Sequence, residues 1–128
     1  MNIQFIEEDP KVFDEVKNII DECLSQVNIV QTSPKDLENA KPRLEKTNLV
    51  LFDLDCETCN SLKLFEELVQ NTSIPIVAID DVRTSPNRLI KALHFGASEY
   101  LLKPFSKNLL LSTIVSHKQP SSNIPWRF

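Results

Sequence analysis

Asn48-Leu-Val-Leu-Phe-Asp53-Leu-Asp55 is a short apolar run that ends abruptly on a carboxylate, and it reads as a buried strand delivering Asp53 to the rim of a sheet. Two other runs finish the same way. Ile3-Gln-Phe-Ile6 continues into Glu7-Glu8-Asp9, and Ile74-Pro-Ile-Val-Ala-Ile79 continues into Asp80-Asp81. A fourth, Tyr100-Leu-Leu102, ends on Lys103-Pro104. In an open parallel sheet the C-terminal strand ends share one edge, and ligands bind in the crevice outside them. The shared endings predict one acidic, cation-attracting pocket with a single lysine in it.

Between these strands the apolar spacing is helical. Pro10 suits the first turn of a helix, and Phe13, Val16, Ile20 and Leu24 follow at three- and four-residue steps, predicting a helix from Pro10 to Ser25. Val27 to Val30 reads as a strand, and Thr32-Ser33-Pro34 as the start of a second helix that Pro42 would kink if it ran on to Lys46. A third helix carries Leu62, Leu64, Phe65 and Leu68 and ends near Asn71. A fourth starts at Thr84-Ser85-Pro86, carries Leu89, Ile90, Leu93 and Phe95, and stops at Gly96, the chain's single glycine, where a helix C-terminus favours a left-handed residue. His94 sits where a cation suits the helix dipole. Ser106 caps a last helix with Leu109, Leu110, Thr113 and Ile114 on its inner face. Five uninterrupted βα units call for an α/β fold, a doubly wound parallel sheet with helices on both faces.

The chain has 128 residues, 25% of them charged and 41% hydrophobic, which suits one compact domain. A net charge of −4, with 14 basic residues scattered among 18 acidic ones, argues against nucleic-acid contact by this domain. No apolar run reaches the roughly 20 residues of a membrane span, and the N-terminus lacks the layout of a signal peptide, so a cytoplasmic protein is expected. Its three cysteines are then expected to be reduced, with Cys56 and Cys59 two incidental loop thiols rather than a redox pair or half of a metal site.

With acids after strands one and three, and Tyr100-Leu-Leu-Lys103-Pro104-Phe105 following Gly96-Ala97-Ser98-Glu99, residues 1–117 resemble the receiver domain of two-component response regulators. The resemblance implies a flavodoxin-like, five-stranded sheet in the order 2-1-3-4-5 with five helices. It makes Asp53 the phospho-acceptor, Lys103 the partner of the phosphoryl oxygens and Tyr100 the aromatic switch residue. It implies Mg²⁺ as cofactor, held by acids among Glu7, Glu8, Asp53 and Asp55, because this hard cation takes oxygen ligands. For Glu7, Glu8 and Asp9 the alternative is a solvated helix start capped by Asp9.

The sequence departs from the family pattern after two of its strands. Where the family has a threonine or serine hydroxyl, strand four ends on Asp80. An ionised carboxylate cannot donate a hydrogen bond, and about 4 Å from a phosphoryl charge it would be repelled by roughly 4 kcal/mol at an effective dielectric near 20, unless a cation bridges the two. The loop Leu54-Asp55-Cys56-Glu57-Thr58-Cys59-Asn60-Ser61 lacks the family's proline and glycine, and the Pro75 to Gly96 separation is one residue longer than usual.

The expected function is therefore that of a regulatory module, with no enzymatic activity beyond self-catalysed aspartyl phosphorylation and dephosphorylation. Asp53 takes a phosphoryl group from a histidine kinase or phosphotransfer partner, and the α4-β5-α5 face switches its affinity for an output domain or partner protein. A homodimer is a possible assembly. The rival is a pseudo-receiver, an interaction module independent of phosphorylation. A flavin or nucleotide enzyme is disfavoured because one glycine cannot build a phosphate loop. Residues 118–128 read as a linker or tail.

Overall fold

A computed structural model describes residues 1–57 and 59–118, with side chains throughout except at 40–43. The strands are β1 (Asn2–Ile6), β2 (Asn28–Thr32), β3 (Leu49–Asp53), β4 (Ile76–Asp81) and β5 (Glu99–Lys103). The helices are α1 (Pro10–Cys23), α2 (Leu37–Leu44), α3 (Ser61–Asn71), α4 (Asn87–Phe95) and α5 (Lys107–Ser116), with a 3₁₀ turn at Pro34–Asp36 before α2. The sheet runs β2-β1-β3-β4-β5 and every pairing is parallel, the flavodoxin-like order expected above.

β3 is the central strand, buried along its whole length because helices cover both faces of the sheet. Its alternate side chains feed two cores. Leu49 and Leu51 pack with Phe5, Val77, Ile79 and Leu101 under Val16 and Ile20 of α1 and Leu110 and Ile114 of α5. Val50 and Phe52 pack with Ile6, Ile76 and Ala78 under Leu37 and Leu44 of α2, Phe65 and Leu68 of α3, and Leu89 and Ala92 of α4. Phe52 and Phe65 meet edge to face at 5.4 Å.

Local chemistry sets the boundaries. Pro10 opens α1 behind the Asp9 side chain, which accepts from the Lys11 N–H at 2.9 Å. Ser33 caps the 3₁₀ turn, Asn60 caps α3 and Ser106 caps α5. β2 runs to Thr32 rather than stopping at Val30, because its register with β1 continues to Ile6 and the Thr32 hydroxyl donates to buried Gln4. β4 begins at Ile76, two residues later than Ile74. Pro75 has no N–H to give the ladder, and only its carbonyl is used, by the Val50 N–H at 3.0 Å. α2 passes through Pro42 but stops at Leu44, short of Lys46. Gly96 ends α4 at φ 123°, and its N–H returns to the Ala92 and Leu93 carbonyls. Of the expected tail only Lys118 lies among the described residues, its N–H closing on Val115.

Candidate functional site

β3 carries Asp53 to the C-terminal edge of the sheet with the side chain 2% exposed. Its Oδ1 accepts from the Asp55 N–H at 2.9 Å, so the chain turns over the carboxylate as it leaves the strand. Its Oδ2 accepts from Lys103 Nζ at 2.7 Å, the lysine being the last residue of β5 and preceding a cis Pro104. Lys103 also reaches Asp55 Oδ2 at 3.4 Å. Burial alone would lower the Lys103 ammonium, but the hydrogen bond and charge of Asp53, with Glu7 and Asp55 behind it, hold its pKa above the usual range. The single lysine of the pocket therefore stays charged and fixed on Asp53.

The acids after β1 divide their work. Glu8 turns to the loop after β3, where its Oε1 accepts from the Glu57 N–H at 3.3 Å. Glu7 turns inward and is 2% exposed. Its Oε2 accepts from the Asp9 N–H at 3.2 Å, while its Oε1 is buried with no donor among the described residues. The Glu7 carboxyl faces that of Asp53. Two carboxylates can bond only if a proton lies between them, and burial first, then the Asp53 hydrogen bond and charge, push the Glu7 pKa up to about 9. A cation shared by the pair would relieve the same repulsion. Among the described residues no three His, Cys, Asp or Glu side chains stand together as a ready-made metal cage.

Asp80 is 1% exposed at the end of β4, and it is not a lone anion. Arg88, in the first turn of α4, closes on it with both arms of the guanidinium, Nε donating to Oδ2 at 2.8 Å and Nη2 to Oδ1. Asp80 Oδ1 accepts from the Asp81 N–H as well, at 2.8 Å. This corrects the premise of an uncompensated charge at position 80, because the repulsion estimated for a bare carboxylate is offset by a guanidinium held against it. The same Nη2 lies 3.7 Å from Asp55 Oδ1. Arg88 was absent from the sequence reading, and its one signal is positional: a cation in the first turn of a helix opposes the helix dipole and calls for a compensating anion.

Tyr100 projects from the edge strand β5, half exposed, and Ile90 and Leu93 of α4 are exposed as well. The expectation of two separate thiols after β3 is also corrected. Cys56 and Cys59 are joined as a disulfide, their Cα atoms 5.8 Å apart, within the span of such a bridge. Cys23 is free and exposed. No helix among the described residues is long and apolar enough to cross a membrane.

Comparison with known proteins agrees with this geometry. The family described as "Response regulator receiver domain" matches residues 3–115. The transcriptional regulatory protein KdpE of Staphylococcus aureus is 31% identical over 91 residues, 71% of this chain and 39% of that protein. The response regulator ArlR of Staphylococcus saprophyticus is 32% identical over 97 residues, 70% of this chain and 44% of that protein. The chain thus spans roughly two fifths of the length of these relatives. Among solved structures, the BeF3-activated N-terminal receiver domain of Klebsiella pneumoniae RstA superimposes with a TM-score of 0.77 at 26% identity, covering 91% of this chain and 97% of that one. A carboxylate at the end of the central strand, a lysine from the edge strand bonded to it and a family match over nearly the whole described chain lead to one conclusion: the chain belongs to the response regulator receiver domain family.

Proposed function

We propose that Asp53 is the nucleophile of a phosphoryl-transfer reaction and that the α4-β5-α5 face reports its state to an output domain or partner protein. The observation that carries this reading is the placement of a buried Asp53 carboxylate on Lys103 Nζ at 2.7 Å at the open edge of the sheet. An Asp53 oxygen attacks the phosphorus of a phosphohistidine. As the new O–P bond forms, the N–P bond breaks and its electron pair stays on the imidazole nitrogen, which takes up a proton. Lys103 then neutralises phosphoryl oxygens, and the Asp55 N–H orients the attacking carboxylate.

The donor set fits Mg²⁺ in one respect, a Glu7 carboxyl that faces Asp53 and has its Oε1 buried and unsatisfied. Glu7 and Asp53 would hold the ion, and Glu8 and Asp55 would join only by leaving their present partners. When bound, the ion supplies charge neutralisation for the transferring group. A sensor histidine kinase or phosphotransfer protein is the donor in this reading, in the cytoplasm. The half-exposed Ile90, Leu93 and Tyr100 offer the apolar part of the switching face, which would serve an output domain or a second copy of the chain.

Incubation with acetyl phosphate and Mg²⁺, followed by intact-mass measurement, tests this. A single phosphoryl adduct is expected on the native chain, with none on Asp53→Asn and a much slower reaction in chelator. A native chain that never labels would leave the domain as a phosphorylation-independent interaction module.

A further inference from the structure

The Asp80–Arg88 pair is the feature of the pocket that the proposed chemistry leaves unused. From Asp80 to Asp53 the charges alternate. Arg88 holds Asp80 and lies 3.7 Å from Asp55, Asp55 lies 3.4 Å from Lys103, and Lys103 holds Asp53 at 2.7 Å. The guanidinium is thus one carboxylate away from the phospho-acceptor's own lysine. Its planar fork matches phosphate oxygens as well as it matches the carboxylate it now holds. Phosphorylation of Asp53 would replace a single carboxylate charge by a phosphoryl group of roughly −1.5 to −2 with three terminal acceptor oxygens. When the arginine leaves, Asp80 keeps one donor, the Asp81 N–H on its Oδ1 at 2.8 Å.

We infer that Arg88 is the phosphoryl-binding group that serves in place of a hydroxyl donor in this domain, with Asp80 as its resting counterion. Phosphorylation of Asp53 moves the guanidinium from Asp80 to the phosphoryl oxygens and draws the first turn of α4 toward β3. Because α4 carries the exposed Ile90 and Leu93, the move reshapes the switching face directly. The inference rests on the proposed phosphorylation of Asp53. It assigns opposite effects to the two partners, Asp80 competing with the phosphoryl group for Arg88 and Arg88 binding it.

Affinity for beryllofluoride, a phosphoryl mimic, with Mg²⁺ present separates the alternatives. Arg88→Ala is expected to weaken it about tenfold or more, the loss of a charged hydrogen-bonding group, and Arg88→Lys to give an intermediate value. Asp80→Asn, which keeps the shape but releases the arginine, is expected to tighten it, and the Arg88 Nε–H resonance of the native chain is expected to shift on binding. A merely structural salt bridge predicts that Arg88→Ala and Asp80→Asn weaken affinity together, and that result, or unchanged affinity in Arg88→Ala, overturns the inference alone. If Arg88→Ala fails to fold, Arg88→Lys and Asp80→Asn still decide by their opposite signs. If the native chain takes up neither beryllofluoride nor the acetyl-phosphate label, the phosphorylation reading fails and this inference falls with it.

Discussion

At the scale of single residues the pocket is a set of carboxylates in different states of compensation. Asp53 has Lys103 and Asp80 has Arg88, while Glu7 faces Asp53 with no cation bonded to it among the described residues, so it is expected to show itself in stability against pH. The groups facing Glu7 are Asp53 and Lys103, with Asp55 beyond the lysine. Folding raises its pKa from 4.5 to about 9, so the folded state holds the proton more tightly than the unfolded chain does. The contribution is fully present below the unfolded value and is lost as pH rises through the folded one. In chelator, the urea midpoint of the native chain is expected to fall between about pH 5 and about pH 9, and Glu7→Gln to flatten that fall. Equal slopes would mean that Glu7 is ionised in the fold. That Asp53, Lys103 and the acids after β1 would meet was legible in the sequence, because apolar runs that stop at charges mark strand ends. The inward turn of Glu7 and the outward turn of Glu8 were not. Neighbouring residues with the same charge differ only in which side of the strand end they leave from, and the Cys56–Cys59 bridge likewise depends on a loop path that carries no periodic signal.

At the scale of elements, helix and strand identity followed from spacing, while boundaries followed from backbone hydrogen bonds that spacing does not encode. Three strands end on charges inside the ladder rather than just past it: β3 on Asp53, β4 on Asp81 and β5 on Lys103. Pairing of Asp81 with Lys103 in register extends the last two by a residue or more. Arg88 escaped notice for the same reason. Its partner lies eight positions back across a loop, a separation without helical or strand period. Gly96, by contrast, announced the end of α4, and two observations show why no other residue suits it. Its φ of 123° is hard for a side chain to adopt, and an added Cβ would stand 3.1 Å from Val69 Cγ1 of α3. Gly96→Ala is therefore expected to lower stability by about 1 to 2 kcal/mol, read as a lower urea midpoint with an unchanged slope. An unchanged midpoint would show that the cap relaxes and that Val69 moves aside without cost.

At the scale of the whole molecule, the sheet divides the core in two yet should unfold as one unit, because every central strand contributes side chains to both faces. Leu49 and Leu51 of β3 belong to the α1 and α5 side, Val50 and Phe52 to the α2, α3 and α4 side. Losing either set of helices strips one face of β3, so neither face has a partly folded state that keeps its strands covered. The argument is open to test with two conservative truncations on opposite faces, Ile20→Val in α1, where the side chain is 0% exposed, and Ile76→Val in β4, where it is 2% exposed. Each removes one buried methylene and is expected to cost about 1 kcal/mol. The residues share no packing neighbours across the sheet, so the double variant is expected to lose about 2 kcal/mol, additive to about 0.5 kcal/mol. Fluorescence and circular dichroism should still report coincident transitions in all three variants. If the two probes separate in either single variant, the faces unfold independently. A phosphoryl-driven shift of α4 could then be absorbed by its own half of the core, without reaching α5 and the far end of the switching face.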